Sequence, residues 1–347
     1  MTYHHVRSNE EARAVSRLAV RVFGAFSVLL VPRKPKWAIY ATNDEGEMVG
    51  GIVLKKLGHE AGIVDWVFVD KAARGQGLGP ELVDRGLAEL EEAGCRHQFA
   101  LVRDDNTPSW NMFATRGFDI PNIIRLYFGF GAAVGGYSLL LTFALLGYSM
   151  WHRDSSQPSG PRVPARGVGL ATILLLALAV SGLFALQSDI LGALFYMLPM
   201  VGGITIVRLL LSWPFARAYG PVRVQVPHSG VPLSLGLGLL GAWWPVLGMW
   251  VPREPLWHES RFRKASGRAS FVGWLVTLAA LAATYLLPFD ELAVGWRGSL
   301  LPVLFYQAIP IVPFEGMDGY RVLRWSRRAF AAGVALSVGL LVYVYTR

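Results

Sequence analysis

Charge stops being evenly spread near Ile120. Before it, acidic and basic residues fall every few positions. After it come apolar runs separated by short basic loops. The runs cover roughly Ile123–Met150, Gly167–Leu186, Ile190–Trp213, Val231–Val251, Phe271–Leu287, Leu300–Pro313 and Ala329–Tyr345. Most approach or exceed the roughly twenty residues that cross a bilayer. A chain of 347 residues, 53% hydrophobic and 16% charged, is too apolar for one ordinary soluble domain. It reads as two: residues 1–121, where helices and strands alternate, and residues 122–347, an all-α polytopic membrane domain with six or seven apolar segments. The boundary falls at Pro121.

The formal charge of +9 fits the basic bias of cytoplasmic membrane loops, with no nucleic-acid partner expected. Loops 252–269 and 316–328 are basic, and loop 289–297 carries Asp290 and Glu291. That places the first two inside and the third outside. Loops 152–166 and 213–230 are basic too. Whether Ile123–Met150 and Val231–Val251 cross fully or fold back decides their side, and both options stay open. Tryptophans such as Trp151, Trp213, Trp250 and Trp325 fall near segment ends, as in an interfacial belt. The first twenty residues hold no apolar core of a secretory signal. Cys95 is the lone cysteine, so no internal disulfide forms, consistent with a reducing compartment.

In the first domain the pattern predicts strand Tyr3–Val6, helix Glu10–Phe23, strand Trp37–Thr42, a turn at Asn43–Gly46, and strands Met48–Leu57 and Gly62–Val69. A helix Gly77–Glu92 and a strand Gln98–Val102 follow. Between the Val67-Phe68-Val69 strand end and the next helix lies Arg74-Gly75-Gln76-Gly77-Leu78-Gly79. Alternate glycines let amides close on an anion, and the helix N-terminus and Arg74 add positive potential. This is a diphosphate cradle. The spacing is not Gly-x-Gly-x-x-Gly, and no Gly-Lys-Ser/Thr end follows, so dinucleotide and P-loop readings lose ground. A second stretch, Asn106 through Phe113-Ala-Thr-Arg-Gly117-Phe118, reads as a short helix with Phe118 turning back to the core.

These two stretches, in this order, resemble the GNAT superfamily of N-acetyltransferases over residues 1–121. The family pattern Arg/Gln-x-x-Gly-x-Gly/Ala stands here as Arg74 to Gly79, after Val67-Phe68-Val69. The resemblance implies an α+β fold, a mixed sheet with flanking helices, and acetyl-CoA as substrate, with no metal. It implies that the amides of Arg74, Gly75, Gln76, Gly77, Leu78 and Gly79 seat the diphosphate, and that backbone groups of Val67 to Val69 hold the pantetheine arm. Asn106 and Phe113 belong to the second motif. An amine acceptor, in a protein, peptide or small molecule, would attack directly. Asp65, read as lying on the strand face of Val69, is the candidate base, with Glu60 and His59 in reserve. The chain departs from the family at Phe113, where a tyrosine usually protonates the leaving thiolate, and at Lys71, where proline is common.

Near the end, Ala308-Ile-Pro310-Ile-Val-Pro313-Phe-Glu-Gly-Met-Asp318-Gly319 resembles a segment of site-2 protease–type membrane metalloproteases, where the aspartate binds zinc. The His-Glu-x-x-His helix is missing; Arg208 to Ser212 stands in its place. A peptidase is therefore excluded, and a non-catalytic relative of that fold is expected. Arg208, inside an apolar run, reads either as functional or as snorkelling. Asp318 would face Arg321 if the resemblance did not hold. Two functions follow: a multi-pass, membrane-tethered acetyltransferase with its first domain in the cytoplasm, or a non-enzymatic acetyl-CoA-sensing regulator with a metal-free, protease-like membrane domain.

Overall fold

A computed structural model describes residues 1–24, 28, 30–104, 106–144, 147–157, 160, 168–185, 202–228, 230–239, 248–286, 304, 307–308 and 318–346. The chain divides into two compact units. One comprises Met1–Leu101, Met112–Tyr137 and Met150–Pro161; the other comprises Val102–Asn111, Ser138–Ser149 and Arg162–Arg347.

The sheet of the first unit begins with β1 (Thr2–His5), β2 (Ala38–Thr42), β3 (Met48–Lys56) and β4 (Ala61–Val69), each antiparallel to the one before. β5 (His97–Arg103) then lies parallel to β4, and β6 (Tyr148–Asp154) completes the order β1-β2-β3-β4-β5-β6. This is the expected mixed sheet with flanking helices. The β2–β3 connection is the turn read from Asn43 to Gly46, closed by Gly46 N–H on the Asn43 carbonyl at 3.0 Å.

Helix α1 (Asn9–Phe23) starts at a capping box in which Ser8 and Glu11 satisfy each other's backbone amides. Its Val15, Leu18 and Ala19 pack with Ala38, Val53 and Phe68 on one face of the sheet. Helix α2 (Leu78–Glu92) covers the other face with buried Leu82, Val83, Leu87 and Leu90. Gly86 on α2 sits so close to the sheet that a Cβ there would meet Ile52 Cδ1 at 2.4 Å. Alternate residues of β3 thus meet opposite helices, as the period of two requires.

The run Ile123–Met150 does not form one helix. It breaks into α4 (Ile123–Phe128) and α5 (Ala132–Ala144), which follow the short helix α3 (Thr107–Ala114), and its last residues enter β6. The break falls in the glycine-rich stretch: Gly129 caps α4 and Gly131 takes φ +86°. Gly135 packs against the Tyr127 carbonyl, 2.2 Å from where its Cβ would stand. β6 was not expected from sequence. Its buried Met150, Trp151 and His152 read as the end of an apolar run.

In the second unit, α6 (Val168–Ala185), α7 (Ile204–Arg217) and α8 (Gly230–Leu239) fall within or across three of the other apolar runs. Val231–Val251 is not a continuous helix either: β8 (Met249–Pro252) ends it, paired antiparallel with β7 (Val222–Gln225). Helices α9 (Glu259–Leu286), α10 (Asp318–Trp325) and α11 (Arg327–Tyr345) follow. Among the described residues two helices are long and apolar enough to cross a membrane, Glu259–Tyr285 and Arg327–Val344. Leu300–Pro313, most of Ile190–Gly203 and the stretch Ile309–Met317 lie outside the described residues, save Gly202, Gly203, Leu304, Gln307 and Ala308.

Arg208 is buried and neither snorkels nor stands alone. Its guanidinium bonds Asp318 and donates through Nε to the Gly273 carbonyl at 3.2 Å. Gln307 Nε2 adds a second bond to the same Asp318 oxygen at 3.3 Å. The partner of Asp318 is thus Arg208, three helices being tied by one charge pair, while Arg321 reaches Met249 Sδ.

Candidate functional site

Strand β4 delivers the chain to the loop. Asp70 opens it: its carboxylate accepts from Ala72 N–H at 3.2 Å and from Arg21 at 2.6 Å, setting a 3-10 turn at Lys71–Ala73. Gly75 then takes φ +82° and Gly77 φ +78°, the left-handed region where side chains are strained. Gly77 is the N-cap of α2 and provides no side-chain cap. The Gln76 amide closes the turn at Arg74–Gly75, while no hydrogen bond from the amides of Gly75, Gly77, Leu78 or Gly79 is found among the described residues. A Cβ placed on Gly75 or Gly77 would meet nothing within 4 Å. Amides left over at a helix N-terminus are of the kind that can hold an anion. Arg74 is exposed beside them, its Nε donating to the Val69 carbonyl at 3.3 Å.

The other half of the site is a parting in the sheet. Strands β4 and β5 pair from Ala61–His97 to Val64–Ala100 and no further. On the β3 side the register slips at the same place: Leu54 faces Val64, Val53 faces Trp66, and Asp65 has no partner. Asp65 is a β-bulge, the extra residue that bends a strand and re-aims side chains. From Asp65 to Val69 the rim of β4 toward β5 carries no ladder, and the backbone groups that turn away from β3 there are those of Val67 and Val69, the Val69 carbonyl already accepting from Arg74. Val67 and Val69, opposite Ile52 and Gly50, face α2, whereas the side chain of Phe68 is buried in the α1 core. The backbone of Phe68 is turned to Gly51 on β3, so neither its side chain nor its backbone faces the open rim.

The bulge also changes the face of Asp65. Val64, paired with Leu54, faces α2; Trp66, paired with Val53, faces α1. Asp65 receives a hydrogen bond of 3.0 Å from Tyr137 Oη on α5, and the Tyr137 ring lies under Lys55 Nζ at 4.0 Å. Lys55 shares the α1 side of β3 with Val53, so Asp65 is directed there and not to the face of Val69. Burial raises the Asp65 carboxyl above the usual carboxylate range, while the Tyr137 hydroxyl and the Lys55 charge pull it back. Sequence reasoning missed Tyr137 and Lys55; nothing in an apolar run marks one tyrosine as the partner of a distant carboxylate.

The remaining motif residues are placed as follows. Asn106 Oδ1 accepts from Ser109 N–H at 3.4 Å, the position of a helix cap for α3. Phe113 is buried against Phe118 with ring centroids 5.1 Å apart. His59 and Glu60 are exposed in the β3–β4 turn, at the far end of a nine-residue strand from the loop. At about 3.3 Å per residue that is roughly 25 Å away. A cavity of about 790 Å³ borders the loop, with Arg17, Arg21, Asp44, Glu47, Asp70 and Gln76 in its wall.

A glycine loop at a helix N-terminus thus follows a strand whose far half carries no ladder to β5. The family described as Acetyltransferase (GNAT) family matches residues 11–118, and these residues are a GNAT acetyltransferase domain. Solved structures show similarity at low identity. Rv2747 from Mycobacterium tuberculosis, in complex with CoA and NLQ, is 21% identical, covering 44% of this chain and 98% of that one with a TM-score of 0.33. Ard1 from Thermoplasma volcanium is 20% identical over 44% of this chain and 95% of its own, with a TM-score of 0.33. The IAA acetyltransferase from Bacillus cereus is 15% identical over 35% and 79%, with a TM-score of 0.31. No curated protein matches the chain.

Proposed function

We propose that the chain is a membrane-tethered N-acetyltransferase that moves an acetyl group from acetyl-CoA to an amine. The diphosphate of the coenzyme rests on the amides of the Arg74 to Gly79 loop, and the pantetheine arm lies along the open rim of β4, exchanging bonds with the backbone of Val67 and Val69. An amide of that rim polarises the thioester carbonyl as charge develops on its oxygen. The neutral amine nitrogen attacks the carbonyl carbon, the C–S bond breaks with its electron pair on sulfur, and Asp65 takes the amine proton. Phe113 has no proton to give, so the thiolate takes its proton from water. The second unit holds the domain at the bilayer through helices such as Glu259–Tyr285 and Arg327–Val344. Because coenzyme A is a cytosolic metabolite, the first domain lies on the cytoplasmic side.

The observation that carries this reading is the set of amides at Gly75, Gly77, Leu78 and Gly79 for which no protein acceptor is found among the described residues, beside the stretch of β4 that carries no ladder to β5. Calorimetry of the full chain with acetyl-CoA, followed by release of free thiol over a panel of amines, tests it. Absence of both binding and turnover would end it. The engagement of Asp318 by Arg208 and Gln307 supports a structural role for the second unit, because a carboxylate held by a guanidinium is already charge-balanced.

A further inference from the structure

The segment that positions the base lies outside the residues matched to the family. Phe130, in the turn between α4 and α5, packs on Phe99 at 5.1 Å and on His152 at 4.4 Å between ring centroids. This seats α5 against the sheet, and a Cβ built on Gly58 in the β3–β4 turn would stand 3.8 Å from Ala133 Cβ. Four residues on, one helical turn along the same face, Tyr137 meets Asp65. Its ring is pinned from the other side by Lys55 Nζ. One carboxylate oxygen, Oδ1, is taken by the phenol; among the described residues Oδ2 has no protein donor.

We infer that Tyr137 is a positioning residue for Asp65: its hydroxyl fixes the carboxylate at the bulge in one orientation and leaves Oδ2 to receive the proton of the incoming amine. This rests on the transferase reading above. The groups set against Asp65 are the phenol from α5 and the ammonium of Lys55 from β3, and both favour the ionised carboxylate. Without the phenol, burial is opposed by Lys55 alone. The base then ionises at higher pH, and the orientation of its carboxylate is no longer fixed.

The test compares the full chain with Tyr137→Phe and Asp65→Asn. In Tyr137→Phe the acid limb of kcat/KM for the amine should move up by about one pH unit, a loss of about tenfold on that limb that recovers at high pH. A role confined to packing would lower activity at every pH and leave the limb in place, which would overturn the inference. If Asp65→Asn retains native kcat/KM, the assignment of the base fails, and the inference with it. A second readout does not need turnover. The carboxylate infrared band absent from Asp65→Asn reports Asp65 directly, and its midpoint should rise in Tyr137→Phe. An unmoved midpoint overturns the positioning role whether or not any amine is acetylated. A raised midpoint without turnover supports it and refutes the transferase reading alone.

Discussion

Two alanine substitutions two residues apart should behave in opposite ways. Gly77 has φ +78° and ψ 0°, and its missing Cβ faces open space. An alanine there suffers backbone strain of about 1–2 kcal/mol. Gly79 lies inside α2, and its Cβ would meet only Val69 Cγ2 at 3.8 Å, an ordinary contact directed into the protein. An alanine there gains about 0.5–1 kcal/mol from helix propensity. The two variants should therefore differ by about 2 kcal/mol, or roughly 8 °C in the first unit's thermal transition, taking about 4 °C per kcal/mol. Binding separates them further. The methyl of Gly77→Ala stands in the space the diphosphate needs, so Kd for acetyl-CoA should rise more than about tenfold, or 1.4 kcal/mol. Gly79→Ala should bind within about twofold of the native chain. Thermal unfolding and calorimetry on the same samples decide. If Gly77→Ala is as stable as native, the left-handed turn is not what holds the loop. If it is destabilised but binds normally, the amides are not the seat.

Three other expectations concern stability. Arg96 grips Asp154 with two bonds of 3.1 Å, and these, with Ser156, hold the Asp154 carboxyl below its ordinary range. A depressed carboxylate stabilises above its unfolded pKa and loses that contribution as pH falls through the folded value. Asp154→Asn should lower Tm at neutral pH, and the two Tm curves should converge in strong acid; parallel curves would contradict this. Arg208→Met strands a buried carboxylate and should cost about 3–5 kcal/mol, with much of the loss recovered by adding Asp318→Asn. Equal stability of the single and double variants would refute the pair. A Cβ on Gly319 would lie 1.6 Å from the Gln307 carbonyl oxygen, a backbone atom that cannot swing aside. Gly319→Ala should cost about 3 kcal/mol, seen as a lowered transition in detergent.

Local order in the first unit was legible because each element there is announced by short-range chemistry. The Asn43–Gly46 turn, the alternation in β3 and the helical spacing of Val15, Leu18 and Ala19 each name their own structure, and the observed limits differ by a residue or so. What could not be read depends on partners distant in the chain. The bulge at Asp65 exists only as a mismatch between β3 and β4, so the strand alone suggested a face that the register then reversed. β6 hid at the end of an apolar run because a strand buried on both sides and a membrane segment share a composition. The glycines from Gly129 to Gly136 coincide with the break between α4 and α5. Arg208 was conspicuous as a charge among apolar residues, but its partner lies 110 positions away. The loop at Arg74–Gly79 was the most legible part of the candidate site, as its geometry follows from glycines and one helix start.

A sheet that comes apart midway has an exposed seam, and an exposed seam attracts any extended chain that can stitch onto it. From Asp65 to Val69 that seam lies between two central strands, with the bulge and charge of Asp65 guarding one end of it. A ligand lying along it would act as a temporary extra strand. Cells or buffers depleted of that ligand should therefore yield protein that clumps through this seam, and adding it during purification should keep the molecules apart.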